Sequence, residues 1–134
     1  MTAISLQANA LGPEGAKALA PVIRDSTSIT VIDLRYNSLD TESATMLANI
    51  AKEKKISLCG ITPDQSVADF TPGARGARDW GPFMGPGDAI LLTADLAVRA
   101  SLTSIILRWN DIGEEGEASL RKAVEGRSGF KLLL

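Results

Sequence analysis

The chain has 134 residues, 45% of them hydrophobic and 22% charged, with a net charge of −2. That is one domain's worth of globular sequence, with no basic excess for nucleic acid and no polybasic stretch for an anionic membrane. There is no His, which removes the commonest general base and metal ligand, and the single Cys, Cys59, cannot form an internal disulfide.

From the N-terminus, one eight-residue frame organises the sequence. Its first copy is Ile4-Ser5-Leu6-Gln7-Ala8-Asn9-Ala10-Leu11. Alternating apolar residues predict a short strand with one buried face. The Asn is expected to turn inward and satisfy backbone groups left unpaired where the strand ends. A helix should follow, with Pro13 at its first position, Glu14 in its first turn and a one-sided stripe of Ala16, Leu19, Ala20 and Ile23.

The second copy, Ile32-Asp33-Leu34-Arg35-Tyr36-Asn37-Ser38-Leu39, places Asn37 28 residues after Asn9. Asp40 is the expected N-cap of a second helix with the stripe Ala44, Leu47, Ala48 and Ala51. No Asn frame comes next. Ile56-Ser57-Leu58 predicts a strand, Thr62-Pro63-Asp64 a turn, and Val67-Ala68-Asp69-Phe70 another extended segment. No helix fits between the two segments. They are either a compact, helix-free repeat or a hairpin inserted into the array.

Residues 71–87 contain five Gly and three Pro, which forbids regular structure. Loops of this length are usually functional or disordered. This one carries Arg75, Arg78, Trp80, Phe83 and Met84. Its aromatic residues either fold back over the sheet or contact a partner. The third frame, Ile105-Ile106-Leu107-Arg108-Trp109-Asn110-Asp111-Ile112, lies 73 residues beyond the second. Two repeats of 28 leave an excess of 17, the length of the 71–87 loop. Applying the 73-residue offset to the first helix maps Ala16 onto Ala89, Leu19 onto Leu92 and Ile23 onto Leu96, and predicts a helix over 86–100. Leu120 and Val124 supply the core face of a fourth helix, and the tail 130–134 reads as the strand of a further repeat.

These residues, from Leu6-x-x-Asn9-x-Leu11-Gly12 through Asn110-Asp111-Ile112-Gly113, resemble leucine-rich repeats of the ribonuclease-inhibitor type over residues 1–55 and 84–134. The centre, with Ile56-Ser57-Leu58-Cys59-Gly60-Ile61, then Ala68-Asp69-Phe70 and Asp88-Ala89-Ile90-Leu91-Leu92, is similar to a variant common in some unicellular algae. The resemblance implies an α/β solenoid, a short horseshoe with a parallel sheet on its concave face and helices on its convex face. The array is expected to be a single domain over 1–134. Its repeats fall at about 1–28, 29–55, an irregular 56–101 carrying the 71–87 loop, and 102–129, with a further strand starting in 130–134.

Repeat arrays build extended surfaces rather than pockets, so the expected function is non-catalytic binding of another protein or protein complex. Arg35 and Arg108 share one frame position, Tyr36 and Trp109 the next, and Asp33 and Asp69 match two places earlier. Such an aromatic–Arg stripe on a sheet suits an interface. The alternative is cross-strand stacking that only stabilises the sheet. The candidate partner-binding residues are Asp33, Arg35, Tyr36, Asp69, Arg108 and Trp109, with Arg75, Arg78, Trp80 and Phe83 of the loop.

Neither end carries a polar capping unit, so end-to-end docking through the termini is also expected. The second functional reading is an accessory subunit built permanently into a larger assembly, organellar or photosynthetic. No cofactor, metal, nucleic acid or direct membrane insertion is expected. The longest apolar run, 89–98, is broken by Asp95 and too short to span a bilayer. No signal peptide is visible, and the expected location is intracellular, cytoplasmic or organellar. Cys59 follows a strand core residue and reads as a buried structural thiol. The carboxylates Glu114, Glu115 and Glu117 read as a solvated first turn.

Overall fold

A computed structural model describes residues 2–7, 9–71 and 84–134. Its elements are β1 (Thr2–Ser5), α1 (Gly12–Asp25), β2 (Ile29–Asp33), α2 (Thr41–Lys54), β3 (Val67–Asp69), α3 (Pro86–Val98), β4 (Ser104–Ile106), α4 (Gly113–Ala123) and β5 (Lys131–Leu133). Every ladder between these strands is parallel. The helices pack in chain order, α1 on α2, α2 on α3 and α3 on α4.

The strands form two sheets, β1-β2 and β3-β4-β5, where one continuous sheet was expected. The cause lies in residues 56–60. This segment begins as a third parallel strand beside β2, with Ile32 N–H donating to Ser57 O at 2.8 Å and Leu34 N–H to Leu58 O at 2.9 Å. The ladder does not extend. Val31 and Ser57 form an isolated parallel bridge, Asp33 and Cys59 an antiparallel one, and Gly60 turns the chain at φ +75°. The expected strand at 56–58 is therefore an isolated bridge. The segment pairs with β2 whereas β3 pairs with β4, so the two extended segments do not form a hairpin with each other. As expected, no helix stands between them.

The helices follow from their stripes and caps. α1 starts with Pro13 in its first turn and buries Ala16, Ala20 and Ile23, while Leu19 is partly buried. α2 is capped by Asp40, whose Oδ1 accepts from Ser43 N–H at 2.8 Å. It buries Ala44, Leu47, Ala48 and Ala51. α3 is buried along most of its length because α2 and α4 both pack on it. Leu91, Leu92 and Leu96 are at most 5% exposed. Each such burial contributes roughly 1.5–3 kcal/mol, which decides helicity in a segment too short to be stable alone. α3 ends at Val98, two residues before the expected boundary, where Arg99 leaves helical geometry.

The frame asparagines connect successive repeats. Asn37 is fully buried. Its amide donates to Leu34 O at 3.0 Å in its own turn and to Leu6 O at 2.9 Å in the preceding repeat. Its Oδ1 accepts from Asn9 N–H at 2.8 Å. Asn110 repeats the pattern across the irregular centre, donating to Leu107 O and Phe70 O and accepting from Met84 N–H. Asn9 departs from the expectation. It is exposed, and its side-chain amide donates to Leu6 O and Gln7 O of its own turn, since among the described residues no strand pairs with the outer side of β1.

The end of the expected loop is also built into the fold. Met84 is fully buried and Pro86 and Gly87 lie within α3, so these residues belong to the core and not to a contact loop.

Candidate functional site

The exposed face of the β3-β4-β5 sheet is set by strand parity. Ala68, Ile105 and Leu107 point into the core, and the residues between them point out. Register aligns the outward residues in two rungs, Val67–Ser104–Lys131 and Asp69–Ile106–Leu133. Val67 is 48% exposed and Leu133 36%. Beyond the second rung come Arg108, exposed, and Trp109, 69% exposed. Trp109 holds a left-handed backbone at φ +68°, as Tyr36 does at φ +65°. The two aromatics therefore share one turn geometry, as their frame position predicts.

The equivalent residues beside β2 are engaged within the fold. Arg35 holds Asp33 with two charge-assisted hydrogen bonds, Nε to Oδ1 at 2.8 Å and Nη2 to Oδ2 at 2.6 Å. Its guanidinium also lies over the Phe70 ring at 4.8 Å and the Tyr36 ring at 5.3 Å from the centroids. Asp33 is only 7% exposed and accepts further from Gln7 Nε2 at 3.1 Å. Burial works against the Arg35 charge, but the hydrogen bonds and charge of Asp33 outweigh it and hold the guanidinium above its ordinary range. Asp33 and Arg35 thus make an internal pair that ties β2 to Phe70, in place of the free anchors expected of them.

Tyr36 is partly buried, and burial raises its hydroxyl above the usual value. Its backbone N–H faces Asp88, which also accepts from Gly85 N–H at 3.1 Å. Burial raises the Asp88 carboxyl, and these two amides pull it back. A cleft of about 300 Å³ lies here, lined by Tyr36, Ser38, Leu39, Pro86 and Asp88 among others. Asp69 is exposed and accepts from Thr71 N–H. Arg75, Arg78, Trp80 and Phe83 lie outside the described residues.

Sequence reasoning missed a buried polar cluster on α3. Asp95 has no exposure and accepts from Ser57 Oγ at 2.6 Å, Leu58 N–H at 2.7 Å and Cys59 N–H at 3.1 Å. Burial pushes its carboxyl up to about 6, against the pull of these donors. Arg99, 4% exposed, donates to Ile61 O and Thr30 O, both at 2.8 Å. Arg127, 28 residues later, donates to Leu96, Arg99, Ala100 and Leu102 carbonyls. The available signal was periodic. Asp88, Leu92, Asp95 and Arg99 fall on one helical stripe, so the charges sit on a core face. Cys59, buried among them, has its thiol raised well above the ordinary range, first by burial and then by Asp95 and Asp88. That disfavours the reactive thiolate.

Among the described residues no group of His, Cys, Asp and Glu side chains could hold a metal ion. No described helix is long and apolar enough to cross a membrane. Three segments, residues 1–20, 25–48 and 100–120, match the family model of the leucine-rich repeat. The matched segments lie on both flanks of the chain, and the irregular centre falls between them. No curated protein matches the chain.

Proposed function

We propose that this chain is a non-catalytic interaction module, a short leucine-rich-repeat horseshoe of the ribonuclease-inhibitor type. It binds another protein through the outward face of its sheet, with the part of the loop before Met84, residues 71–83, as a second contact. Leucine-rich repeats generally serve protein interaction, and the match at both flanks supports that class. The 14-residue lengths of α1 and α2 and the parallel pairing of β1 with β2 support the repeat type.

The observation that carries the reading is the C-terminal half of the sheet. Trp109 at 69% exposure stands with exposed Arg108 above the Asp69–Ile106–Leu133 rung. Trp and Arg on a partly apolar surface are the residues that dominate binding energy at interfaces. Tyr36 stands at the equivalent turn after β2, where its hydroxyl accepts from Arg35 of the Asp33–Arg35 pair.

The test is pulldown from native extract with the full chain and its Trp109→Ala and Tyr36→Ala variants. Loss of the partner with Trp109→Ala and weakening with Tyr36→Ala are expected. Equal recovery by both variants and the parent chain would sink the sheet-face reading.

A further inference from the structure

The two frames place an Arg at the same position, and the structure treats the two differently. Arg35 has Asp33 two residues earlier on its strand and clasps it through both carboxylate oxygens. Arg108 has Ile106 at the corresponding place, and the one acid of its frame, Asp111, forms no ion pair with it. Among the described residues Arg108 forms no ion pair, and its side chain is exposed. One frame therefore contains an Arg–carboxylate ion pair, and the other, among the described residues, contains none. The next residue has the same left-handed turn in both, Tyr36 at φ +65° and Trp109 at φ +68°, so the Arg leaves the strand from the same local geometry.

The surroundings of Arg108 fit an incoming chain. Its strand places the partly buried Ile106 beside the 36% exposed Leu133 in one rung. Lys131, exposed and without an ion pair among the described residues, lies one rung below. Asp69 is the only acid on these two rungs. The whole chain is acidic, at −2, so two cations on one sheet face with no ion pair among the described residues are a local feature. Their charge complements an acidic segment and repels a basic one.

We propose that the 106–109 frame is a carboxylate-binding subsite. Arg108 takes an Asp or Glu side chain from an extended acidic segment of a partner protein, in the bidentate manner in which Arg35 holds Asp33. An apolar neighbour of that acid settles on Ile106 and Leu133, and Trp109 flanks the site. The proposal rests on the sheet-face reading and adds the partner's chemistry to it. The two charge-assisted hydrogen bonds of a bidentate Arg–carboxylate pair supply geometric specificity as well as affinity.

The test uses the full chain on an array of short extended peptides with a central Asp or Glu flanked by Leu or Val. Each is matched by a peptide with Asn or Gln at the centre, and each is made with free and amidated C-termini. Hydrogen bonds to charged groups lead to an expected preference of about tenfold for the acidic peptides over their amides. R108Q should abolish that preference, and R108K should retain only part of it, since Lys keeps the charge and loses the fork. W109A should weaken acidic and amide peptides alike.

Three outcomes would overturn the subsite: no acidic peptide bound, acid and amide bound equally, or an acid preference that survives R108Q. Binding confined to peptides with free C-termini would also overturn it, because the carboxylate would then be terminal. Binding lost in W109A yet indifferent to R108Q removes the subsite and leaves the sheet-face reading standing. Binding indifferent to both removes the sheet-face reading as well.

Discussion

Asp95 accepts three hydrogen bonds at zero exposure, and two of them come from the backbone amides of Leu58 and Cys59. Asp95→Ala would leave the Leu58 amide buried without an acceptor and the Cys59 amide with only a 3.4 Å bond to Ser57 Oγ, at roughly 1–3 kcal/mol each, so a loss of about 3 kcal/mol is expected in urea unfolding. A loss under about 1 kcal/mol would mean that residues 56–61 hold their conformation without it. The same carboxyl predicts a pH dependence. Burial raises it to about 6 in the folded chain, against an ordinary value of 3.8. The folded state therefore binds the proton more tightly. That stabilisation is complete below 3.8 and is lost as pH rises through about 6. Between about pH 5 and about pH 7.5 the parent chain should lose of the order of 1–2 kcal/mol more stability than Asp95→Asn, which has no proton to release. Parallel pH profiles for the two would refute this. The site was legible only in part at this scale. Frame equivalence correctly paired Tyr36 with Trp109 in one turn. It could not say that Asp33 and Phe70 occupy Arg35, because Phe70 approaches from a repeat whose register the missing Asn frame conceals.

At the level of elements, two positions test how backbone geometry sets the helix ends. Lys55 closes α2 in the left-handed region at φ +59° and is exposed. Lys55→Gly removes that steric cost while increasing unfolded-chain entropy, and a net gain of about 0.5–1 kcal/mol is expected. A lowered thermal midpoint would contradict it. Gly87 tests the opposite case. Ala has better helix propensity by about 1 kcal/mol, yet a Cβ at Gly87 would collide with the Leu39 backbone carbonyl. A backbone oxygen cannot swing aside as a side chain can, so Gly87→Ala should destabilise by roughly 1–3 kcal/mol. A neutral result in chemical unfolding would show that α3 can slide away from the 36–39 turn. The helices were legible because 3.6-residue stripes and caps are local: Asp40 and the Ala89–Leu92–Leu96 offset fall where the pattern puts them, and Pro13 stands at the second helical position in place of the first. The sheet break was not legible. It depends on where Gly60 turns and on Asp95 reaching the Ser57 hydroxyl and the Leu58 and Cys59 amides from 36–38 residues away, and neither leaves a periodic trace.

Across the whole molecule, the helix layer is continuous while the strands divide into two sheets. In a repeat array each unit gains stability mainly from its neighbours, so a break in one layer concentrates the coupling in the other. Here the coupling runs through the α2–α3 contact and the polar cluster at the C-terminal end of α3. Arg99 is its most far-reaching member, because it bonds Thr30 O in β2 and Ile61 O after the irregular segment at once. Burial lowers its pKa, and the charge of Asp95 offsets part of that shift. Arg99→Leu fills most of the volume but leaves two carbonyls without a donor and Asp95 without its cation. A cost of about 2–4 kcal/mol is expected. Its distribution is the more informative quantity. In the parent chain the slowest-exchanging amides of β2 and β4 should open with one common free energy, as parts of one cooperative unit. In Arg99→Leu those of β2, α1 and α2 should exchange ahead of those of β4 and α4, because the second sheet retains the four carbonyl bonds of Arg127. Hydrogen exchange followed by mass spectrometry separates the two halves by peptide. If the variant loses stability while both halves still exchange together, the helix layer alone couples the array and the polar cluster is only a local clamp.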